Sequence, residues 1–232
     1  MFTKRPSKDR GFADHGWLKA LHTFSFADYH DPQFMGFRNL RVINEDRVAP
    51  GAGFPTHGHM DMEIITYPLA GFIAHKDSTG GEGEIGHGDV QVMSAGKGVR
   101  HSEFNASQTN PLHLLQIWLL PHTKGVAPRY DERRFDPAER QNALTLLASG
   151  DAKDDALFIN TDVKLYGGLL QAGRTLTKQL DGDRFGWIQV ARGTLDVNGE
   201  TLEAGDGLGF GLETELEFKA GDDAEFLLFD LP

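Results

Sequence analysis

Ile65-Thr-Tyr-Pro-Leu-Ala-Gly71-Phe-Ile-Ala, followed by Gly88-Asp-Val-Gln-Val, has a degenerate counterpart in Ile188-Gln-Val-Ala-Arg-Gly193-Thr-Leu-Asp-Val, followed by Gly205-Asp-Gly-Leu-Gly. In each copy one β-branched and apolar run turns at Gly into the next, and a Gly-Asp turn opens a later one. The two glycines lie 17 positions apart in the first copy (71 to 88) and 12 in the second (193 to 205). Such a repeat predicts an all-β chain of two similar barrels rather than one large one. Further short runs between Gly, Asp and Asn predict strands at Phe37 to Ile43, Glu63 to Leu69, Phe72 to His75, Asp89 to Met93 and Leu112 to Leu120. In the second half they fall at Gly186 to Ala191, Thr194 to Val197, Gly207 to Phe210, Glu215 to Phe218 and Glu225 to Phe229. Helical periodicity is weak, and Pro137 to Leu147 is the best short helix. The expected organisation is a first domain with an N-terminal arm over residues 1–122, a charged, proline-bearing linker over 123–155 and a second domain over 156–232.

Composition narrows the chemistry. The chain has no cysteine, which excludes disulfides, iron-sulfur clusters and thiolate zinc, so any metal is held by nitrogen and oxygen. A net charge of −11 argues against a direct nucleic-acid surface, which needs clustered Lys and Arg. No apolar run approaches membrane-spanning length and the charged start does not resemble a signal peptide, so a soluble, cytoplasmic protein without membrane contact is expected. All ten histidines lie between His15 and His122, which confines histidine chemistry to the first half.

Within that half, His57 and His59 of Thr56-His-Gly-His-Met60 share one face of a strand, because side chains alternate. His101 and Glu103 of Arg100-His-Ser-Glu-Phe104 share a face in the same way. Two such ribbons side by side offer three imidazoles and a carboxylate, a set suited to a borderline divalent ion with positions left for water or substrate. Glu63 and Asp61 share the parity of His57 and His59; Glu63 is a second candidate for the carboxylate ligand or a hydrogen-bond partner of a ligand imidazole. Phe54, Phe104 and Trp118 are candidate pocket walls, with at least two of the three expected in plain core. His113 reads as a satisfied core histidine, and His22 as structural within an arm formed by Phe24, Phe26 and Tyr29. Arg129, Arg133 and Arg134, interleaved with Asp131, Glu132 and Asp136, read as a salt-bridged linker rather than an anion site.

Gly51-Ala-Gly-Phe-Pro-Thr-His57-Gly-His59-Met-Asp-Met-Glu63, ending in Leu69-Ala-Gly71, resembles the first cupin motif. Gly88 to Asn105 resembles the second, with Ser94 where a proline is common and extra spacing before His101. Those departures, with Glu103 two residues after His101, resemble the pirin family. So do His22-Thr-Phe-Ser-Phe-Ala-Asp-Tyr29, Asp31-Pro-Gln-Phe-Met-Gly-Phe37 and Pro128-Arg-Tyr-Asp-Glu-Arg-Arg-Phe135, and the bacterial pirin-like quercetinases are the most similar branch.

The resemblance implies two cupin (double-stranded β-helix, jelly-roll) barrels with one metal, in the first barrel only. It implies His57, His59, His101 and Glu103 as ligands, with Glu103 preferred to Glu63. Glu103 is also the candidate catalytic base, either remaining a ligand or swinging off to accept a substrate hydroxyl proton, since a carboxylate serves as general base at short range. Counting back from Gly193 as the two histidines lie before Gly71 gives Gln179 and Asp181, which supply no imidazole. The implied ion is a divalent transition metal, Fe2+ by preference, with Cu, Ni, Zn, Mn and Co compatible with the same donors. The implied activity is opening of the heterocyclic ring of flavonols such as quercetin by O2 with release of carbon monoxide. The partners are then a small aromatic substrate and O2, in a monomer. The family also includes members read as metal-binding, redox-sensing regulators that act through a protein partner, which is the alternative function.

Overall fold

The computed structural model describes residues 2–151, 153 and 155–232, and its regular secondary structure is β-strand apart from one short 3-10 turn at Ser7–Asp9. Two compact units are present: residues 11–135 with 157–161, and the described residues of 2–10, 136–156 and 162–232.

The first unit is built from two sheets. The larger runs in the order Arg129–Arg134, Asp89–Ser94, Glu63–Ala70, Leu112–Leu119, Leu40–Val48, Leu18–His22 and Gly11–Asp14. The smaller runs Gly53–His59, Val99–Asn105, Phe72–Asp77, Glu82–Gly86. The neighbouring strands named here pair antiparallel, as the alternating burial of Leu112–Leu119 suggests for a strand with one face turned inward. The second unit repeats the plan. Its larger sheet contains, in order, Phe2–Arg5, Gly207–Gly211, Phe185–Arg192, Ala224–Leu231, Lys164–Leu170 and Ala143–Ser149, and its smaller one Thr175–Gln179, Glu215–Ala220, Thr194–Val197 and Glu200–Glu203.

The sequence repeat maps onto this correspondence. Gly71 and Gly193 make the same tight turn at φ of 78° and 73°, and a Cβ would come within 2.9 Å of the Pro111 carbonyl oxygen in one and 2.3 Å of that of Asp223 in the other. The Gly-Asp turns at Gly88 and Gly205 also have positive φ, 95° and 87°. Glycine is required there by backbone conformation and by space.

Three expectations change. Pro137 to Leu147 is not a helix: residues 136–141 turn, and Ala143–Ser149 is a strand paired with Lys164–Leu170. Its alternating Leu144 and Leu146 with Thr145 between them fit a pleated surface better than a helix face. The boundaries also shift. Residues 123–135 are not linker, because Arg129–Arg134 pairs with Asp89–Ser94 and belongs to the first unit. Nor do residues 2–10 belong to the first unit. Phe2–Arg5 pairs with Gly207–Gly211, and Ser7 N–H and the Lys4 ammonium both bind the Asp206 carboxylate at 2.7 and 3.0 Å.

Candidate metal centre

His57 and His59 lie on Gly53–His59, and His101 stands directly opposite His57 on the neighbouring strand. Their ring centroids are 4.9 Å apart for His57 and His59, 4.4 Å for His57 and His101, and 4.9 Å for His59 and His101. One ligand nitrogen from each lies within 4.8 Å of the others. His57 Nδ1–H donates to the Pro55 carbonyl at 2.9 Å, which leaves the Nε2 lone pair free to bind an ion. Burial, reinforced by the neighbouring imidazoles, lowers the pKa of His59 to about 4 and that of His101 to about 3, so both are neutral and ligand-competent at pH 7.

Behind His101 stands a chain of partners that the motif does not reveal. His75, on Phe72–Asp77, donates through Nε2–H to Asp77 Oδ2 at 3.0 Å. With its proton on Nε2, His75 accepts at Nδ1 from His101 Nδ1–H, 3.4 Å away, which leaves the His101 Nε2 lone pair for an ion. That Nε2 is buried without a hydrogen-bond partner. Burial alone would raise the Asp77 pKa, but bonds from His75, Thr79 and Gly81 outweigh it and hold the carboxyl at about 2. Tyr130 stacks on His75 with centroids 4.5 Å apart. A carboxylate behind an imidazole in this way fixes its tautomer and raises its basicity toward a metal.

Glu103 shares the inward face of Val99–Asn105 with His101, as alternation predicts, and the extra residue of the bulge beside them lies in Gly53–His59. The Glu103 carboxylate is buried, 4.0 Å from His101 Nε2, and accepts long bonds from Thr66 Oγ1 and Gln116 Nε2, both at 3.4 Å. It groups with His75 and His101 rather than with His57 and His59. Burial, only partly offset by those two bonds, pushes its pKa up to about 7.

Glu63 takes no part in this cluster. Asp61 adopts φ of 48°, and the turn breaks the alternation that would have carried His57 and His59 to Glu63. The Glu63 Oε2 atom accepts instead from Ser94 Oγ at 2.6 Å and Asn160 N–H at 3.0 Å. Asp61 receives the Gly125 N–H at 2.7 Å.

His57, His59 and Glu103 border a cavity of about 530 Å3 inside the first unit, with His101 buried behind them. Phe54 and Trp118 both line it, whereas Phe104 points outward and is 40% exposed, so two of the three candidate aromatics are cavity wall rather than plain core. Trp118 sets its ring edge-on to His59 and Phe26 at 5.0 and 5.4 Å. His22, with its Nδ1 2.8 Å from Asn44 Oδ1, and Tyr29 also face the cavity, so the arm residues form part of its wall. His113 is satisfied by Glu45 at 2.9 Å but is partly exposed and outside the cavity. Arg129 and Arg134 pair with Asp131 and Asp89 at 2.7 and 3.1 Å, as ion-paired groups within a strand.

The Pirin family model matches residues 4–119, and the model of the quercetinase C-terminal cupin domain matches residues 146–231. The chain belongs to the pirin family. Across its whole length it is 46% identical to a protein named quercetin 2,3-dioxygenase from Escherichia coli K12, covering 99% of that protein. It is also 46% identical, over 231 residues, to a pirin-like protein of Caulobacter vibrioides. The crystal structure of the bacterial pirin YhhW from Escherichia coli in complex with nickel(II) superposes with a TM-score of 0.95 at 45% identity, covering 100% of this chain and 99% of that one. The donor set of this pirin, three imidazoles with an orphaned nitrogen among them and a carboxylate alongside, fits one divalent metal ion. Among the described residues the second barrel offers no equivalent: Gln179 ends a partly exposed strand, bonded to Glu215, and Asp181 lies beyond it.

Proposed function

We propose that the first barrel is a metal-dependent dioxygenase that opens the heterocyclic ring of flavonols such as quercetin with O2 and releases carbon monoxide. His57, His59, His101 and Glu103 hold the ion, Fe2+ by preference, and the protein works as a cytoplasmic monomer. The observation that carries this reading is the convergence of His57, His59 and Glu103 on a cavity walled by Phe26, Phe54 and Trp118, a lining that suits a planar aromatic ligand. The full-length identity to proteins named quercetin 2,3-dioxygenase supports it.

When bound, the ion supplies a Lewis acid that favours the enolate form of a coordinated hydroxyl. Glu103 swings off the ion to accept the hydroxyl proton, as a carboxylate at short range can. Thr66 and Gln116 hold its carboxylate in place. The apolar walls keep bulk water from the electron-rich ring.

The test is to purify the protein with its native metal, identify that metal, and follow quercetin loss and carbon monoxide release under O2. Glu103→Gln should abolish turnover while much of the metal binding survives. A wild-type protein that turns over no flavonol with any divalent ion overturns the proposal.

A further inference from the structure

Two polar residues of Leu40–Val48 face the cavity in different company. Asn44 is bonded to His22 and stands in register with Gln116, whose amide reaches Glu103 at 3.4 Å. Asp46, one row further along, stands between Ala20 on one side and Leu114 on the other. Beyond it Leu18, Val48 and Leu112 close that end of the barrel as an apolar cluster. Asp46 is only 4% exposed, no hydrogen bond reaches its carboxyl, and Oδ1 is fully buried without a partner. Burial, with Glu103 and Glu45 adding to it, raises its pKa to about 7.

A buried carboxyl set between two apolar neighbours is costly unless something bonds to it. Its Ala20 and Leu114 neighbours carry no donor, and the open side is the cavity. Trp118 Nε1, an indole donor in the same wall, is likewise buried without a partner. Asn44 and Asp46 are two residues apart on one face, so their rows are separated by about 7 Å along the strand. That is about the length of a hydroxyphenyl group. A ligand held at the imidazoles beside Glu103 would therefore present its remote ring to Asp46.

We propose that Asp46 binds a hydroxyl on the ring of the substrate that is remote from the metal, and that it selects ligands hydroxylated there over those that are not. This rests on the dioxygenase reading for the identity of the substrate, but its test does not depend on turnover. The probes are three flavonols alike except that the remote ring carries two, one or no hydroxyl groups. Their dissociation constants are measured without O2 on the metal-loaded protein, and kcat/KM is measured in air.

Wild type should bind the dihydroxylated flavonol about tenfold or more tighter than the unsubstituted one, the gain expected of a hydrogen bond to a buried carboxyl. Asp46→Leu and Asp46→Ala should bind all three alike to within about twofold, and Asp46→Asn should restore part of the preference. The Ala variant keeps the test valid if Leu does not fold. A general structural role for Asp46 would weaken all three ligands together and leave their ratio unchanged. Preference that survives in the Leu or Ala variant, or that is absent from wild type, overturns the inference. Asp46-dependent preference without turnover would instead overturn only the dioxygenase reading.

Discussion

Where the first barrel carries His22, Asn44, Asp46, Glu103 and Gln116 around a cavity of about 530 Å3, the second carries Ile188, Val190, Phe210, Phe218, Phe226 and Leu228 in one packed cluster. Phe218 and Phe226 stack at 5.0 Å, and the Phe226 ring lies over Gly168 so closely that a Cβ there would come within 2.4 Å of it. The same sheet plan thus holds either a site or a core. What decides is the inward row of each strand: polar groups and imidazoles in one barrel, aromatic and branched apolar groups in the other. Filling maximises burial, whereas the hollow barrel keeps unpaired polar groups that only a bound ligand can satisfy.

The largest effect should come from emptying the filled barrel. Phe226→Ala should lower stability by about 3–5 kcal/mol, while Leu114→Ala, on the wall of an existing cavity, should cost only about 2 kcal/mol. Urea unfolding of both variants checks this, and equal losses would break the contrast between the two interiors.

Next comes the orientation chain found only in the first barrel. Asp77→Asn should weaken metal binding about 10- to 100-fold in a chelator competition, with little change in the fold. Unaltered affinity would mean that Asp77 serves the Ser78–Gly81 turn and not His101.

The smallest effects distinguish the two barrels by the sign of their pH dependence. The raised pKa of Asp46 means that its contribution is present below the unfolded value of 3.8 and lost as pH rises through about 7. Asp46→Asn should therefore gain on wild type between those values and be more stable at pH 8, by on the order of 2 kcal/mol. Asp206 in the second barrel behaves oppositely. Burial opposes its ionisation, but bonds from Ser7, Glu203 and Lys4 prevail and lower its pKa. Its contribution is present above the unfolded value and lost as pH falls through the lower folded one. Asp206→Asn should cost about 1–2 kcal/mol at neutrality and progressively less in acid, which thermal unfolding across a pH series will show.

The legible part of the site was the part fixed by alternation within one strand. His57 with His59, and His101 as the anchor of the second ribbon, needed only i, i+2 spacing, and the repeat of Gly71 and Gly193 announced two barrels. What was missed depended on pairing between distant segments or on a local break. His75 and Asp77 acquire meaning only because Phe72–Asp77 lies beside Val99–Asn105, a placement no local pattern contains. The His75-Lys-Asp77 spacing, running two residues past the predicted strand Phe72 to His75, was the one available hint. Glu63 was over-weighted because a turn at Asp61 reset the alternation, whereas the outward setting of Phe104 was legible, since it alternates with the inward Glu103 on one strand. The strand at Ala143–Ser149 was hidden by leucines whose spacing suits a helix as well as a strand.

The exchange of residues 2–10 into the second unit bears on how the chain reaches this structure. The bond from Ser7 to Asp206 joins residues 199 positions apart, and Phe2–Arg5 pairs with Gly207–Gly211 across a similar separation. In the first unit the corresponding outer strand, Arg129–Arg134, is supplied by the chain that follows Leu112–Leu119. Closing so long a loop costs entropy before any pairing repays it, so the second unit should complete its sheet later than the first. Until then the edge of Gly207–Gly211 stands open to strands of other molecules. A folding intermediate of this protein is therefore most prone to aggregate through the open sheet edge of its second half.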